Sequence, residues 1–173
     1  MTSTTRRLAA AAAALAVGTA APLAPLGAQE ARRGPQLEAR ADVIAGRATA
    51  LHLALGAGVA LGNYARASLV AGGGVTSLGG HTRGSGRADA VVRFLLDPFR
   101  ERRWGPYGGA GVSAMYTGAG GAMGGSGAWH GYLLAVAGLE GPAAHGVLTS
   151  FEVGLGGGTR VGLVLRRAPL QGR

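Results

Sequence analysis

Between Leu51 and Gly62 the chain alternates without a break. Leu51, Leu53, Leu55, Ala57, Val59 and Leu61 are separated by His52, Ala54, Gly56, Gly58, Ala60 and Gly62. A period of two places the large apolar side chains on one face of a β-strand and leaves glycine, alanine and one histidine on the other. The run is longer than a usual strand of five or six residues, and suits the ~9–11 residues with which a tilted strand crosses a bilayer. Gly62-Asn63 then reads as a tight turn.

The same period recurs along the chain. A first strand is expected over Glu38–Ala45, followed by a turn at Gly46-Arg47 and the long strand Thr49–Leu61. In Tyr64–Thr76, Ala65, Ala67, Leu69, Ala71 and Val75 oppose Tyr64, Arg66, Ser68 and Thr76. The glycines of Leu78–Ser85 predict a loop. In Gly86–Leu96, Ala88, Ala90, Val92, Phe94 and Leu96 oppose Arg87, Asp89, Val91, Arg93 and Leu95. A basic connection, Asp97–Trp104, leads to a small-residue strand at Tyr107–Thr117. A glycine-rich loop (Gly118–Gly127) and the strand Trp129–Leu139 come next. Val147–Leu155 and Thr159–Arg167 close the pattern as a hairpin around Gly156-Gly157-Gly158. The strand count is eight, or seven if the first merges with the second. Helix is excluded over most of this stretch by the density of glycine and by the period.

Which face meets solvent decides the architecture. A soluble barrel or sandwich carries Lys, Glu, Thr and Gln on its water face. Here the non-apolar phase is His52, Gly56, Gly58, Arg66, Ser68, Gly72, Gly74, Asp89, Arg93, Ser150, Glu152, Gly154, Arg160 and Gly162. That is too much glycine and too little charge for a hydrated surface, and it suits the inside of a narrow eight-stranded barrel. The expected arrangement is therefore an all-β, eight-stranded up-and-down antiparallel transmembrane β-barrel. His52, Arg66, Asp89, Arg93, Glu152 and Arg160 belong to its interior. Leu51, Leu53, Leu55, Leu69, Val92, Phe94, Val153, Val161 and Leu163 face lipid. The alternative is a soluble lipocalin-like periplasmic barrel with the Leu51/Leu53/Leu55 face turned inward on an apolar ligand.

The amino terminus adds a compartment. Arg6-Arg7 precede an Ala/Leu core, and Leu26-Gly27-Ala28 offers a small residue for cleavage, so residues 1–28 read as a secretory signal. Residues 29–37 follow as a polar leader, 38–167 as the barrel and 168–173 as a tail. All eight acidic residues lie after the signal. The formal charge of +9 then falls by the two signal arginines to +7. The arginines are scattered and not interleaved with aromatics, which argues against nucleic acid. Every basic residue is Arg, which reads first as base-composition bias. Glycine, at 34 of 173 residues, is nearly three times its usual ~7 % share.

With this signal, the meander and the closing hairpin Ser150–Leu165, the chain resembles small outer-membrane β-barrel proteins of the OmpA/OmpX kind. The resemblance is one of pattern over Glu38–Arg167. It implies the outer membrane of a Gram-negative cell, contact with outer-membrane lipid and lipopolysaccharide, and insertion by the barrel-assembly machinery. The role it implies is structural, adhesive or that of a narrow pore. The ending Leu170–Arg173 departs from the aromatic terminal residue usual in such barrels.

Chemistry is sparse. His52, His81, His130 and His145 share no metal-ligand spacing and there is no Cys, so neither metal nor cofactor is expected. Ser85 and Ser126 lie among glycines outside any G-x-S-x-G pattern. A lipid-modifying enzyme, the third reading, would need His and Ser adjacent on one strand at the lipid interface. No such pair occurs. Asp89, Arg93, Glu152 and Arg160 are candidates for an interior ion network, with Glu152 and Arg160 partners across the last turn. Arg100, Arg102 and Arg103 beside Trp104 could meet anionic headgroups.

Overall fold

The computed structural model describes residues 34–99, 103–118 and 127–168. The expected signal sequence, and the tips of the connections 96–104 and 118–127, lie outside these residues.

Eight strands form, all antiparallel to their neighbours. They are β1 (Gln36–Ala45), β2 (Thr49–Leu61), β3 (Ala65–Leu78), β4 (His81–Leu95), β5 (Gly105–Thr117), β6 (Ala128–Glu140), β7 (Val147–Leu155) and β8 (Thr159–Arg167). They stand in chain order and β8 pairs with β1, so the sheet closes on itself. Closure removes the sheet edges that an open meander would expose. The first strand is separate from the second and begins at Gln36, inside the expected leader.

The expected loop at Leu78–Ser85 is a hairpin instead. Gly79 and Gly80 take φ of +58° and +81°, a two-residue turn that side chains with a Cβ rarely adopt, so both flanking strands run on to Leu78 and His81. His81–Gly84 pair with β3 but have no partner in β5, whose pairing to β4 begins at Ser85. This projecting end carries polar residues on both faces, which is why the apolar period is lost there.

Following paired residues once round fixes the barrel's size. Glu140 leads to Ser150, Val164, Arg40, Ala54, Gly72, Arg87 and Met115, and returns to β6 at His130, ten residues from the start (140 − 130). Eight strands with a stagger of ten, at ~3.3 Å per residue and ~4.8 Å between strands, give a tilt of about 41° and a radius of about 8 Å. Such a cylinder holds side chains and little else.

The two ends differ. At one lie both termini of the barrel and the connections 62–64, 96–104 and 141–146; at the other lie the hairpin ends 46–48, 79–80, 118–127 and 156–158. β7 and β8 have nine residues each, whereas β3 to β6 have 13 to 15. Ala128–Leu134 of β6 pair with β5 but have no partner in β7. The hairpin rim is therefore oblique, high at β3–β6 and low at β7–β8.

Large apolar side chains point outward. Leu51, Leu53, Leu55, Leu69, Phe94, Val153 and Val161 are exposed, Leu55 by 72 %, and Leu163 sits at 36 %. Val92, on the same outward phase, is half-buried. Towards the termini end Trp104 stacks on Phe151 and Tyr64 meets Phe99 edge-on, while Tyr116 and Trp129 pair towards the hairpin end. Among the described residues the buried apolar cluster inside is Val91, Leu134 and Val136.

Candidate functional site

The lumen is built from one phase of every strand. Its charged side chains connect from one end to the other. At the termini end, Arg66 donates from Nη1 to both oxygens of Glu140, at 3.0 and 2.7 Å, and Arg166 donates to the same carboxylate. Arg166 also reaches Glu38 at 3.3 Å.

One layer further, Arg93 crosses the lumen. Its Nε donates to Glu152 Oε2 at 3.0 Å, Nη1 to Ser68 Oγ at 2.6 Å and Nη2 to Glu38 Oε1 at 3.1 Å. Glu152 also accepts from Arg40 and from the Tyr107 hydroxyl, the latter at 3.1 Å. Above it, Arg160 grips Asp42 with a two-pronged fork, Nε to Oδ1 at 3.0 Å and Nη2 to Oδ2 at 2.9 Å, while its Nη1 donates to Asp89 Oδ2 at 3.0 Å. Arg87 Nε donates to Asp89 Oδ1 at 2.7 Å.

Among the described residues six arginines (40, 66, 87, 93, 160, 166) and five carboxylates (38, 42, 89, 140, 152) make up this network. Arg93, Glu152 and Arg160 are at most 2 % exposed. Taking such charges out of water costs several kcal/mol each, and pairing with further hydrogen bonds is what offsets it. The planar guanidinium fork, with five donors, can bridge two carboxylates at once; a lysine ammonium presents no such fork. The all-arginine composition thus has a structural use, whatever its origin.

All six interior residues expected from the sequence, His52, Arg66, Asp89, Arg93, Glu152 and Arg160, point inward. The pairing expected across the last turn is not the one found. Arg160 and Glu152 approach only diagonally, at 3.7 Å, because the register sets Gly162 opposite Glu152 and Gly154 opposite Arg160. Arg66 bonds to Glu140. Glu38, Arg40 and Asp42 of β1 were not singled out from the sequence, although their i, i+2 spacing carries the signal. Arg87, Tyr107, Glu140 and Arg166 were missed as well.

Glycine makes room for these side chains. Gly56 pairs with Glu38, Gly72 with Arg87, Gly109 with Arg93, Gly105 with Glu140, Gly138 with Tyr107, Gly154 with Arg160, and Gly162 with both Asp42 and Glu152. A Cβ on Gly138 would lie 2.4 Å from the Tyr107 ring, and one on Gly162 would lie 2.1 Å from Asp42 Oδ1. Near the termini end the space between Gln36, Arg66, Arg93 and Arg166 leaves no room for a water molecule.

One pair resembles chemistry. His52 Nε2 lies 2.8 Å from Ser85 Oγ. The two stand on β2 and β4, and each is opposite Gly74 of the intervening strand, so they meet over a residue with no side chain. Adjacency along one strand does not mark such a cross-strand pair. Activating the serine would need a group orienting His52 through Nδ1, and that atom has no hydrogen-bond partner among the described residues. Asp42, opposite His52 in the register, has both oxygens on Arg160. Among the described residues no cluster of three His, Asp or Glu is placed to hold a metal ion.

No protein-family model matches the chain, and no curated protein matches it in sequence. Two solved structures share its architecture. The outer membrane protein OprG from Pseudomonas aeruginosa aligns at a TM-score of 0.53 and 12% identity, over 80% of this chain and 91% of that one. The N-terminal beta-barrel domain of Pseudomonas aeruginosa OprF aligns at 0.50 and 16% identity, over 76% of this chain and 96% of that one. At these identities the likeness speaks for the fold. The closed, eight-stranded, up-and-down antiparallel barrel of this chain has the fold of the small outer-membrane β-barrels.

Proposed function

We propose that the chain is an exported, non-enzymatic outer-membrane protein whose barrel spans the bilayer as a plugged cylinder with a structural or adhesive role. The supporting observation is the inversion of its two faces. Leu51, Leu53 and Leu55 are exposed outside while Arg93, Glu152 and Arg160 are buried inside. In water the first set is an aggregation liability; in lipid it is the interface, and the charges stay off the hydrocarbon. A lipocalin-like ligand barrel needs the leucine face inside, and it is outside. The crossing arginines fill an interior of about 8 Å radius, which favours a plug over a conducting pore. Residues 1–28 act as the export signal in this reading. Lipopolysaccharide-containing lipid and the assembly machinery are its partners, and no cofactor is used.

Fractionation after expression in a Gram-negative host tests the location. The protein should sediment with outer membrane, need detergent for extraction and migrate faster on gels when unheated. A monodisperse protein in plain buffer would overturn the reading. In planar bilayers the folded barrel should give no sustained conductance steps; regular open steps would refute the plug.

A further inference from the structure

Throughout most of the lumen each arginine fork meets acids. At the hairpin end donors outnumber them. Arg87, 6 % exposed, spends only its Nε, on Asp89; Nη1 and Nη2 have no hydrogen-bond partner among the described residues. Thr76 Oγ1 and His52 Nδ1 are also without one, and both residues are more than nine-tenths buried. Arg83, half-buried nearer the rim, has a free Nε.

The register gathers these groups. Thr76 pairs with Arg83, Gly74 with His52 and with Ser85, and Gly72 with Arg87. They occupy three consecutive inward positions, at 72, 74 and 76 of β3 and their partners on β2 and β4, running toward the hairpin rim. The neighbouring acids are committed, since both oxygens of Asp42 and of Asp89 already accept from Arg160 or Arg87. A buried guanidinium edge without an acceptor is unfavourable.

We propose that this end of the lumen is a binding site for a phosphate-type oxyanion. The Nη1/Nη2 edge of Arg87 takes two oxygens side by side, a geometry that suits tetrahedral oxyanions better than a halide. The other unpartnered polar atoms of this end are neutral donors further toward the rim: His52 Nδ1–H is one inward position, and the Thr76 hydroxyl two, from the Gly72 that faces Arg87. An anion at Nδ1 selects the tautomer with the ring proton there, and the Ser85 hydroxyl then donates to Nε2. Arg83 at the rim draws the anion in. The site needs only the folded barrel, so it stands or falls separately from the membrane location.

The test uses the full barrel folded in detergent micelles, titrated with inorganic phosphate at constant chloride and, in a second arm, with dihexanoyl phosphatidic acid. Calorimetry gives the affinity and the His52 ring resonances report the place. Saturable one-to-one binding that moves the His52 signals is expected. Arg87→Gln should weaken it at least tenfold and Thr76→Val severalfold. Binding of inorganic phosphate alone identifies a free anion, and binding of the lipid alone a headgroup. If Arg87→Gln does not fold, Thr76→Val and the His52 shifts decide. Absence of saturable binding in both arms, or equal affinity in every folded variant, overturns the proposal.

Discussion

Glu152 is the carboxylate on which three arginines converge, and replacing it by Gln should expose which of them depends on it. Arg93 would keep Glu38 and Ser68, and Arg160 would keep Asp42 and Asp89. Arg40 would keep only Glu38 at 3.6 Å and Asp42 at 3.8 Å, both beyond a hydrogen bond, and its Nε and Nη1 already lack acceptors. Its charge is fully buried. Breaking a buried pair from one side costs ~3–5 kcal/mol because the survivor is stranded, so Glu152→Gln should lose about that much. Adding Arg40→Met removes the stranded charge and should return about 2 kcal/mol, within the range seen for coupled neighbours. The same cycle with Arg160→Met should return much less, since Arg160 keeps its fork on Asp42. Urea unfolding in micelles, followed by the fluorescence of Trp104 and Trp129, measures all the variants. Additivity within about 0.5 kcal/mol in the Arg40 cycle, or a larger coupling to Arg160, would refute the reasoning.

Two further substitutions probe the faces and the packing. Leu53→Arg puts a charge on the outward phase and should cost ~2–4 kcal/mol at mid-bilayer, whereas His52→Gln next to it loses about one hydrogen bond; refolding yield into vesicles compares them, and equal damage would mean the phases are reversed. A Cβ at Gly74 would lie 1.8 Å from the Leu51 carbonyl oxygen and 2.8 Å from His52 Cα, while one at Gly73 meets nothing nearer than 3.5 Å. Gly74→Ala should therefore destabilise by at least ~1–3 kcal/mol or fail to close the barrel, and Gly73→Ala should be near neutral by the same urea assay.

The sequence carried the strands and their phase because both follow from local alternation. β7 and β8 match the pattern residue for residue, since both abut the Gly-Gly-Gly turn and alternate strictly away from it. The hairpin at Gly79-Gly80 was not legible, because His81–Gly84 project past the other strands and lose the apolar phase that marks a strand. The pairing of charges was out of reach for a different reason. Which arginine meets which acid depends on a stagger of ten residues around the closed sheet, and no single hairpin contains that number. Glu152 and Arg160 are close in sequence and so looked like partners. Arg40, 112 residues away from Glu152, is the nearer one in space.

The glycines and the arginines belong to one solution. With eight strands and a radius of about 8 Å, the lumen cannot take large side chains on every inward position of neighbouring strands. The chain alternates them across the sheet, a long charged or aromatic residue facing a glycine: Arg93 and Gly109, Tyr107 and Gly138, Arg160 and Gly154, Glu152 and Gly162. The same device explains why His52 and Ser85 touch over Gly74. The alternation is not universal: Arg66 pairs directly with Arg93, and Gly111 lies opposite the apolar Val91 and Leu134. Arg87 follows it, through Gly72, and Asp89 occupies its Nε alone. Toward the hairpin rim that leaves the Nη1/Nη2 edge of Arg87 without an acceptor among the described residues.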